Sequence, residues 1–278
     1  MTILDKIAES ARQRVELQKT KLSRESIKEI IQAVEGTSRF HNREAFAFEN
    51  TLKRNRIRQE NKCKSKMSFI CEVKKASPSK GIIADEFPYL EIAEEYVQAG
   101  ADAISVLTEP EYFLGDDRYL AEISRKVHIP VLRKDFTIDE YQIYEAKMIG
   151  ADAVLLICSL LDTAVLAHYL ELCKGLGLSA LVEVHDSHEV TSAIEAGAGI
   201  IGVNNRNLQT FQVDLENSIR LRSLVPEHII FVAESGIKSQ EDIVRLHDAG
   251  VDAVLIGETL MRSADKRDAL SALKKAGN

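Results

Sequence analysis

Six short runs in this sequence carry side chains suited to proton transfer or to gripping anions. Glu72 and Lys74 lie two apart in Glu72-Val73-Lys74-Lys75-Ala76-Ser77-Pro78-Ser79-Lys80-Gly81. Lys134 sits in Leu132-Arg133-Lys134-Asp135-Phe136, and Glu183 in Leu181-Val182-Glu183-Val184-His185. A carboxylate takes a proton and an ammonium gives one, so two lysines and two glutamates brought together form an acid–base set. Asn204 adds a hydrogen-bonding carboxamide, and Arg206 a planar fork that fits a carboxylate. Ser235 and Gly236, then Gly257 and Glu258, follow two apolar runs. Glycine there opens backbone N–H groups to a phosphate dianion.

Such residues work together only if the chain converges them, and an internal repeat says how it does. Segments beginning at Ala99, Ile149, Ala196 and Ala249 each run from a helix end through a glycine (Gly100, Gly150, Gly197, Gly250) into a β-branched apolar strand. Glycine supplies the left-handed helix cap, and a continuous apolar run reads as a strand buried on both faces. The glycines fall about fifty residues apart, room for two βα units rather than one. The intervening strands start at Ser68, Pro130, Ser179 and Ile229. Eight strands with amphipathic stretches between them predict an α/β fold of one closed (β/α)8 TIM barrel. An open doubly wound sheet is the alternative; the even spacing favours closure.

In this frame the charges acquire positions. Glu72 and Lys74 share a face of strand one, Lys134 is in phase with Leu132 on strand three, and Glu183 with Leu181 on strand five. Odd-numbered strands feed the same side-chain layers, so these groups converge at the barrel mouth. Structural salt bridges explain one such pair, not four charges on three strands in matched phase. Asn205 and Asn207 read as turn residues.

Residues 1–66 form a separate N-terminal helical extension capping the barrel of residues 67–278. Ile3, Leu4, Ile7, Ala8 and Ala11 make a first helical stripe. A second helix, capped by Ser23, carries Ile27, Ile30, Ile31 and Val34 and stops at Gly36. A third spans residues 49–66, with Lys53, Arg54, Arg56, Arg58, Lys62, Lys64 and Lys66. That basic run reads as a solvated helix face rather than a nucleic-acid site.

The bulk numbers agree. A length of 278 residues accommodates one barrel. A net charge of −7 argues against nucleic acid or an anionic membrane as partner. The N-terminus lacks a signal-peptide core and no run reaches membrane-spanning length, so a cytoplasmic location is expected. Cys63, Cys71, Cys158 and Cys173 are scattered and read as free thiols, with no metal site. Gly197-Ala-Gly199-Ile-Ile-Gly202 matches the dinucleotide pattern, but a helix precedes it and a strand follows, the reverse of what that motif needs. No cofactor is expected.

Taken together, the five motifs at Glu72–Gly81, Leu132–Phe136, Leu181–His185, Gly202–Leu208 and Ala233–Ile237, with Ile3-Leu4-Asp5-Lys6-Ile7 at the start, resemble the indole-3-glycerol phosphate synthase family across nearly the whole chain. The resemblance implies tryptophan biosynthesis, with 1-(2-carboxyphenylamino)-1-deoxyribulose 5-phosphate closing to a five-membered ring and losing carbon dioxide and water. It implies that Lys134 is the general acid of ring closure, its pKa open to lowering by burial or a neighbouring cation. Lys74, Glu183 and Glu72 share the later dehydration. Arg206, Asn204 and Ser77 hold the carboxylate and hydroxyls. Lys74, Ser235, Gly236, Gly257 and Glu258 surround the phosphate, while Phe113 and Phe136 are either walls for the aromatic ring or ordinary packing. Many relatives carry Ser at position 258, so an acid beside the phosphate is unwelcome there unless the Glu258 side chain turns away and only its N–H contributes.

Three rivals share parts of this pattern. A phosphoribosylanthranilate isomerase-like barrel calls for a Cys and an Asp at the strand ends. A Schiff-base lyase needs a reactive lysine, and a non-catalytic phosphosugar sensor needs only the phosphate loops. The partner in each case is a small phosphorylated molecule, and the oligomeric state stays open.

Overall fold

The structure, a computed structural model, describes residues 2–34, 43–57 and 67–277. Eight parallel strands close into a barrel: β1 (Ser68–Val73), β2 (Ala103–Leu107), β3 (Val131–Lys134), β4 (Ala153–Ile157), β5 (Ser179–Val184), β6 (Ile200–Asn204), β7 (Ile230–Glu234) and β8 (Ala253–Ile256). Each pairs with its sequence neighbours, and β1 closes the ring against β8. Gly100, Gly150, Gly197 and Gly250 all adopt positive φ, between 80° and 94°. The left-handed helix exits expected of the repeat are therefore present in all four copies. Gly197 ends a helix and Gly202 lies inside β6, so the dinucleotide-like pattern runs from helix to strand.

Strand residues alternate between two apolar environments. Phe69, Cys71, Ile104, Val106, Val131, Val154 and Val182 face outward into the layer beneath the helices. Ile70, Leu132, Leu181 and Val232 fill the interior from the odd strands, with Ala103, Ala153, Leu155, Ile200, Ala253 and Leu255 from the even ones. Two residues on, each odd strand points to the same side again. Those four positions are Glu72, Lys134, Glu183 and Glu234. An apolar layer is thus topped by a layer of four ionisable groups.

The described parts of the extension reach both ends of the barrel. Helix α1 (Ile3–Lys21) begins with a capping box between Thr2 and Asp5 and buries Ile7, Ala8, Ala11 and Val15. Helix α2 (Arg24–Val34) starts where Ser23 Oγ accepts the Ser26 N–H, and Ile27 and Ile31 pack with Val15 and Tyr141. Ile30, expected on the buried stripe, is 38% exposed, because only one face of α2 is covered. Helix α3 (Ala47–Ile57) starts two residues earlier than expected, the rest of the expected stretch lying outside the described residues, and its Phe48 and Leu52 enter the interior cluster as a floor. Lys53 pairs with Glu49, and Arg54 lies 3.5 Å from Glu44. Gly36, Arg58, Lys62, Cys63, Lys64 and Lys66 lie outside the described residues. Among the described residues, no helix is long and apolar enough to cross a membrane.

Candidate active site

The mouth above the charged layer holds a cavity of about 570 Å³, within the range of small-molecule sites. All thirteen candidates line it: Glu72, Lys74, Ser77, Phe113, Lys134, Phe136, Glu183, Asn204, Arg206, Ser235, Gly236, Gly257 and Glu258.

At its base, Lys134 Nζ lies 3.1 Å from Glu183 Oε2 and 3.6 Å from Glu234 Oε2. Burial alone would push this lysine down. The Glu183, Glu234 and Glu72 carboxylates outweigh it and hold Lys134 above the ordinary lysine range. The direction that the sequence leaves open is therefore upward, because three carboxylates on facing strands surround the ammonium. Burial pulls Glu183 up, but Lys134, His185 and the Asn204 carboxamide bring it below its usual value. Asn204 Nδ2 donates to Glu183 Oε1 at 3.2 Å, and its Oδ1 accepts the Arg206 N–H at 3.0 Å.

Glu234 was not among the candidates. It is 2% exposed, and burial, with Glu183 and Glu72 nearby, raises it to about 7 despite Lys134. Its phase with Val232 on an odd strand was the available signal, the same one that marks Glu183. A side chain at Gly202 would collide with the Glu234 carboxylate, so the small residue in β6 makes its room. Gly257 does likewise for Glu72 and Lys74, which form an ion pair. Lys74 itself stands one residue beyond the end of β1.

Above this layer come the candidate anion contacts. Ser235 and Gly236 both have positive φ, 65° and 85°. A serine held left-handed is a strained position of the kind that collects at functional sites. Gly257 caps the short helix Glu258–Arg262, whereas Gly236 has no helix directly behind it; the next, Gln240–Asp248, starts after Ser239. The Thr259 hydroxyl donates to the Ile237 carbonyl at 2.6 Å and ties the two loops together. Glu258 does not turn away. Its carboxylate lies 3.4 Å from Lys80, 3.3 Å from Arg262 and 3.6 Å from Arg206. Partial burial would raise it, but Lys80, Arg262 and Arg206 hold it below its usual value. Three cations at the rim attract this carboxylate into the site.

Phe113 and Phe136 face each other with ring centroids 5.9 Å apart and planes tilted by 39°. Phe113 is presented by Glu109, a buried carboxylate that accepts the N–H groups of Glu111, Tyr112 and Phe113 at 3.0, 2.7 and 3.0 Å. Behind Phe136, Asp135 accepts Arg14 of α1 at 2.7 Å and the Thr108 hydroxyl at 2.7 Å. Ser77 Oγ is 3.5 Å from Ser79 Oγ in the hairpin after β1, formed by Ala76–Ser77 and Gly81–Ile82. Ile3, Leu4 and Ile7 of α1 also line the cavity. Asn205 binds Ser218 and the Ser235 carbonyl, and Asn207 caps its own turn, as their turn reading requires.

The sequence matches the family model for indole-3-glycerol phosphate synthase over residues 4–273. This chain belongs to the indole-3-glycerol phosphate synthase family. It is 57% identical over 272 residues to the indole-3-glycerol phosphate synthase of Ruminiclostridium cellulolyticum, covering 98% of each chain. It is 50% identical over 277 residues to that of Lachnoclostridium phytofermentans, again with 98% of each covered. Among solved structures it is similar to 3-hexulose-6-phosphate synthase from Salmonella typhimurium, with a TM-score of 0.61 and 18% identity over 76% of this chain and 98% of that one. That likeness shows the barrel fold alone, whereas the two indole-3-glycerol phosphate synthase relatives match over 98% of this chain.

Proposed function

We propose that this mouth converts 1-(2-carboxyphenylamino)-1-deoxyribulose 5-phosphate to indole-3-glycerol phosphate, as a ring-closing carboxy-lyase of tryptophan biosynthesis. The observation that carries the reading is the ionisable layer, in which Glu72, Lys134, Glu183 and Glu234 cap an apolar barrel core with Lys74 at their side. Burying several charges is costly unless they are paired and used.

The aromatic carbon bearing the carboxylate attacks the ketone carbon, and the developing alkoxide takes a proton. Lys134, kept protonated by the carboxylates around it, is the acid. The carboxylate leaves as carbon dioxide, its bonding pair returning to the ring. Dehydration then needs an acid at the new hydroxyl and a base at the neighbouring ring carbon, a task shared by Lys74, Glu72 and Glu183. Glu234, near 7, exchanges protons at neutral pH and joins that set.

Arg206 with Asn204 and Ser77 grips the carboxylate and hydroxyls, and Phe113 and Phe136 flank the aromatic ring. The phosphate rests on Ser235, Gly236, Gly257 and the Glu258 N–H, with Lys74 facing it. The arriving dianion displaces the Glu258 carboxylate from the rim cations. The extension, residues 1–66, serves the barrel of residues 67–278 as part of the same catalytic unit, since α1 reaches the mouth and α3 the floor.

Incubating pure protein with the substrate and following the indole chromophore by ultraviolet absorbance, with mass detection of the product, tests the reading. Turnover with loss of carbon dioxide and water supports it; binding without turnover returns the chain to a sensor.

A further inference from the structure

The charged layer is one cation short. Glu72, Glu183 and Glu234 put three carboxylates into the mouth of the barrel, each buried to within 4% of full exclusion, against the two ammonium groups of Lys74 and Lys134. A buried carboxylate without a countercharge is strongly disfavoured in its ionised form. His185, the residue after β5, stands where a third cation would be useful. Its Nδ1 lies 3.1 Å from Glu189 Oε2, and its Nε2 lies 3.5 Å from Glu183 Oε1. Nε2 is buried without a hydrogen-bond partner.

A neutral imidazole has one N–H and one lone pair. With the proton on Nδ1, the Nε2 lone pair faces the Glu183 carboxylate. With the proton on Nε2, the Nδ1 lone pair faces Glu189. Only the doubly protonated ring offers a donor to both. The clamp is held from outside: Glu189 lies at the start of the helix Ser187–Glu195 and also accepts the His185 backbone N–H at 2.7 Å. The Asn217 amide binds the His185 carbonyl at 3.0 Å.

We infer that His185 is a positioning residue, an imidazolium seated between Glu189 and Glu183 that keeps Glu183 ionised and oriented toward Lys134. The inference rests on the reading of Glu183 as part of the acid–base set. The groups around the ring agree in sign. Glu183 on its own strand, Glu189 and Asp186 at the head of the following helix, and Glu234 across the barrel are acidic, and Lys134 lies beyond Glu183. Ser159 Oγ, 3.3 Å from Nδ1, is neutral. Burial pulls the imidazole down, but Glu189, Glu183 and Glu234 carry it above the ordinary histidine range.

Two measurements test this. In a long-range proton–nitrogen spectrum of labelled protein, with the signal assigned by its loss in His185→Gln, both ring nitrogens should be protonated at pH 7. A neutral ring there overturns the proposal whatever the enzyme's activity. In the second, the acid limb of the kcat–pH profile of His185→Gln should move up by about one pH unit, the size of shift expected when a neighbouring cation is lost, with KM within about twofold. Glu189→Gln should move the limb the same way by less, and the double variant should match His185→Gln, because Glu189 acts only through the ring. An unmoved acid limb in both single variants overturns the proposal. If His185→Gln fails to fold, Glu189→Gln and the spectrum of the unaltered protein decide it. Should Lys134→Met leave turnover intact while the ring is charged, the acid–base reading falls and the imidazolium stands.

Discussion

Replacing Lys134 by Met removes the ammonium while keeping most of the side-chain volume, so it tests charge rather than packing. Lys134 Nζ lies 3.1 Å from Glu183 and 3.6 Å from Glu234. At an effective dielectric constant of about 20, each contact is an attraction of about 5 kcal/mol. Both carboxylates are about 2% exposed, so water cannot replace what is lost. They respond by taking up protons. Glu234, already at about 7, climbs further and is neutral at physiological pH, and Glu183 loses the partner that holds it down. On the proposed roles, the variant therefore lacks its acid and carries the wrong charge on its bases. The kcat should fall by about 10²–10⁴-fold, the contribution of a positioned acid, with KM changed far less because the phosphate and carboxylate contacts remain. Stability supplies an independent check. The orphaned carboxylates have raised folded pKa values, so their cost grows as pH rises through those values, and the loss of Tm should be larger at pH 9 than at pH 6. Continuous ultraviolet detection of product and thermal melts at the two pH values suffice. A variant retaining more than half of the original kcat removes Lys134 from the mechanism, and a pH-independent loss of Tm refutes the charge argument.

Three further outcomes are expected. Arg206→Ala should raise KM for the anthranilate-bearing substrate while calorimetric binding of inorganic phosphate stays within about threefold; equal losses for both ligands would mean that the two anion subsites are one. Glu234→Gln should stabilise the fold at pH 8 and have little effect at pH 5. A carboxyl raised to about 7 weakens the fold progressively as pH rises from about 4.5 through 7, by up to about 3 kcal/mol, so a Tm gain that is absent at pH 8 contradicts the assignment. Protein treated with EDTA and desalted should turn over at the untreated rate, since the reaction is redox-neutral and rearomatisation drives decarboxylation; activity lost on chelation and restored by a divalent ion would break the lysine–glutamate mechanism.

What could be read from the chain was whatever local period encodes. The glycine exits at Gly100, Gly150, Gly197 and Gly250 and the phase of Lys134 with Leu132 are properties of one strand and its flanks, so eight strands and the direction of their charges were legible. The lysine's raised pKa was not, because it is a sum over Glu183, Glu234 and Glu72 on three other strands. The orientation of Glu258 was hidden for a similar reason. Its partners Lys80, Arg206 and Arg262 come from three separate segments, and only the closed barrel brings them to one rim. The extension showed its helices but not their destinations, since an amphipathic stripe says that a face is buried without naming what buries it. Glu234 was a miss of a different kind: its phase with Val232 was visible.

Phe48 and Leu52 also bear on how molecules reach the site. With α3 packed into the interior cluster at the floor, the cavity lies at the opposite end, the mouth. Substrate and product would then share the mouth, where Lys80 lies 3.4 Å from Glu258. A contact there that had to part for arrival would have to part again for departure, acting as the same gate twice in each turnover. A slow gate would delay release of product as much as capture of substrate, and faster chemistry at Lys134 would then leave the overall rate unchanged.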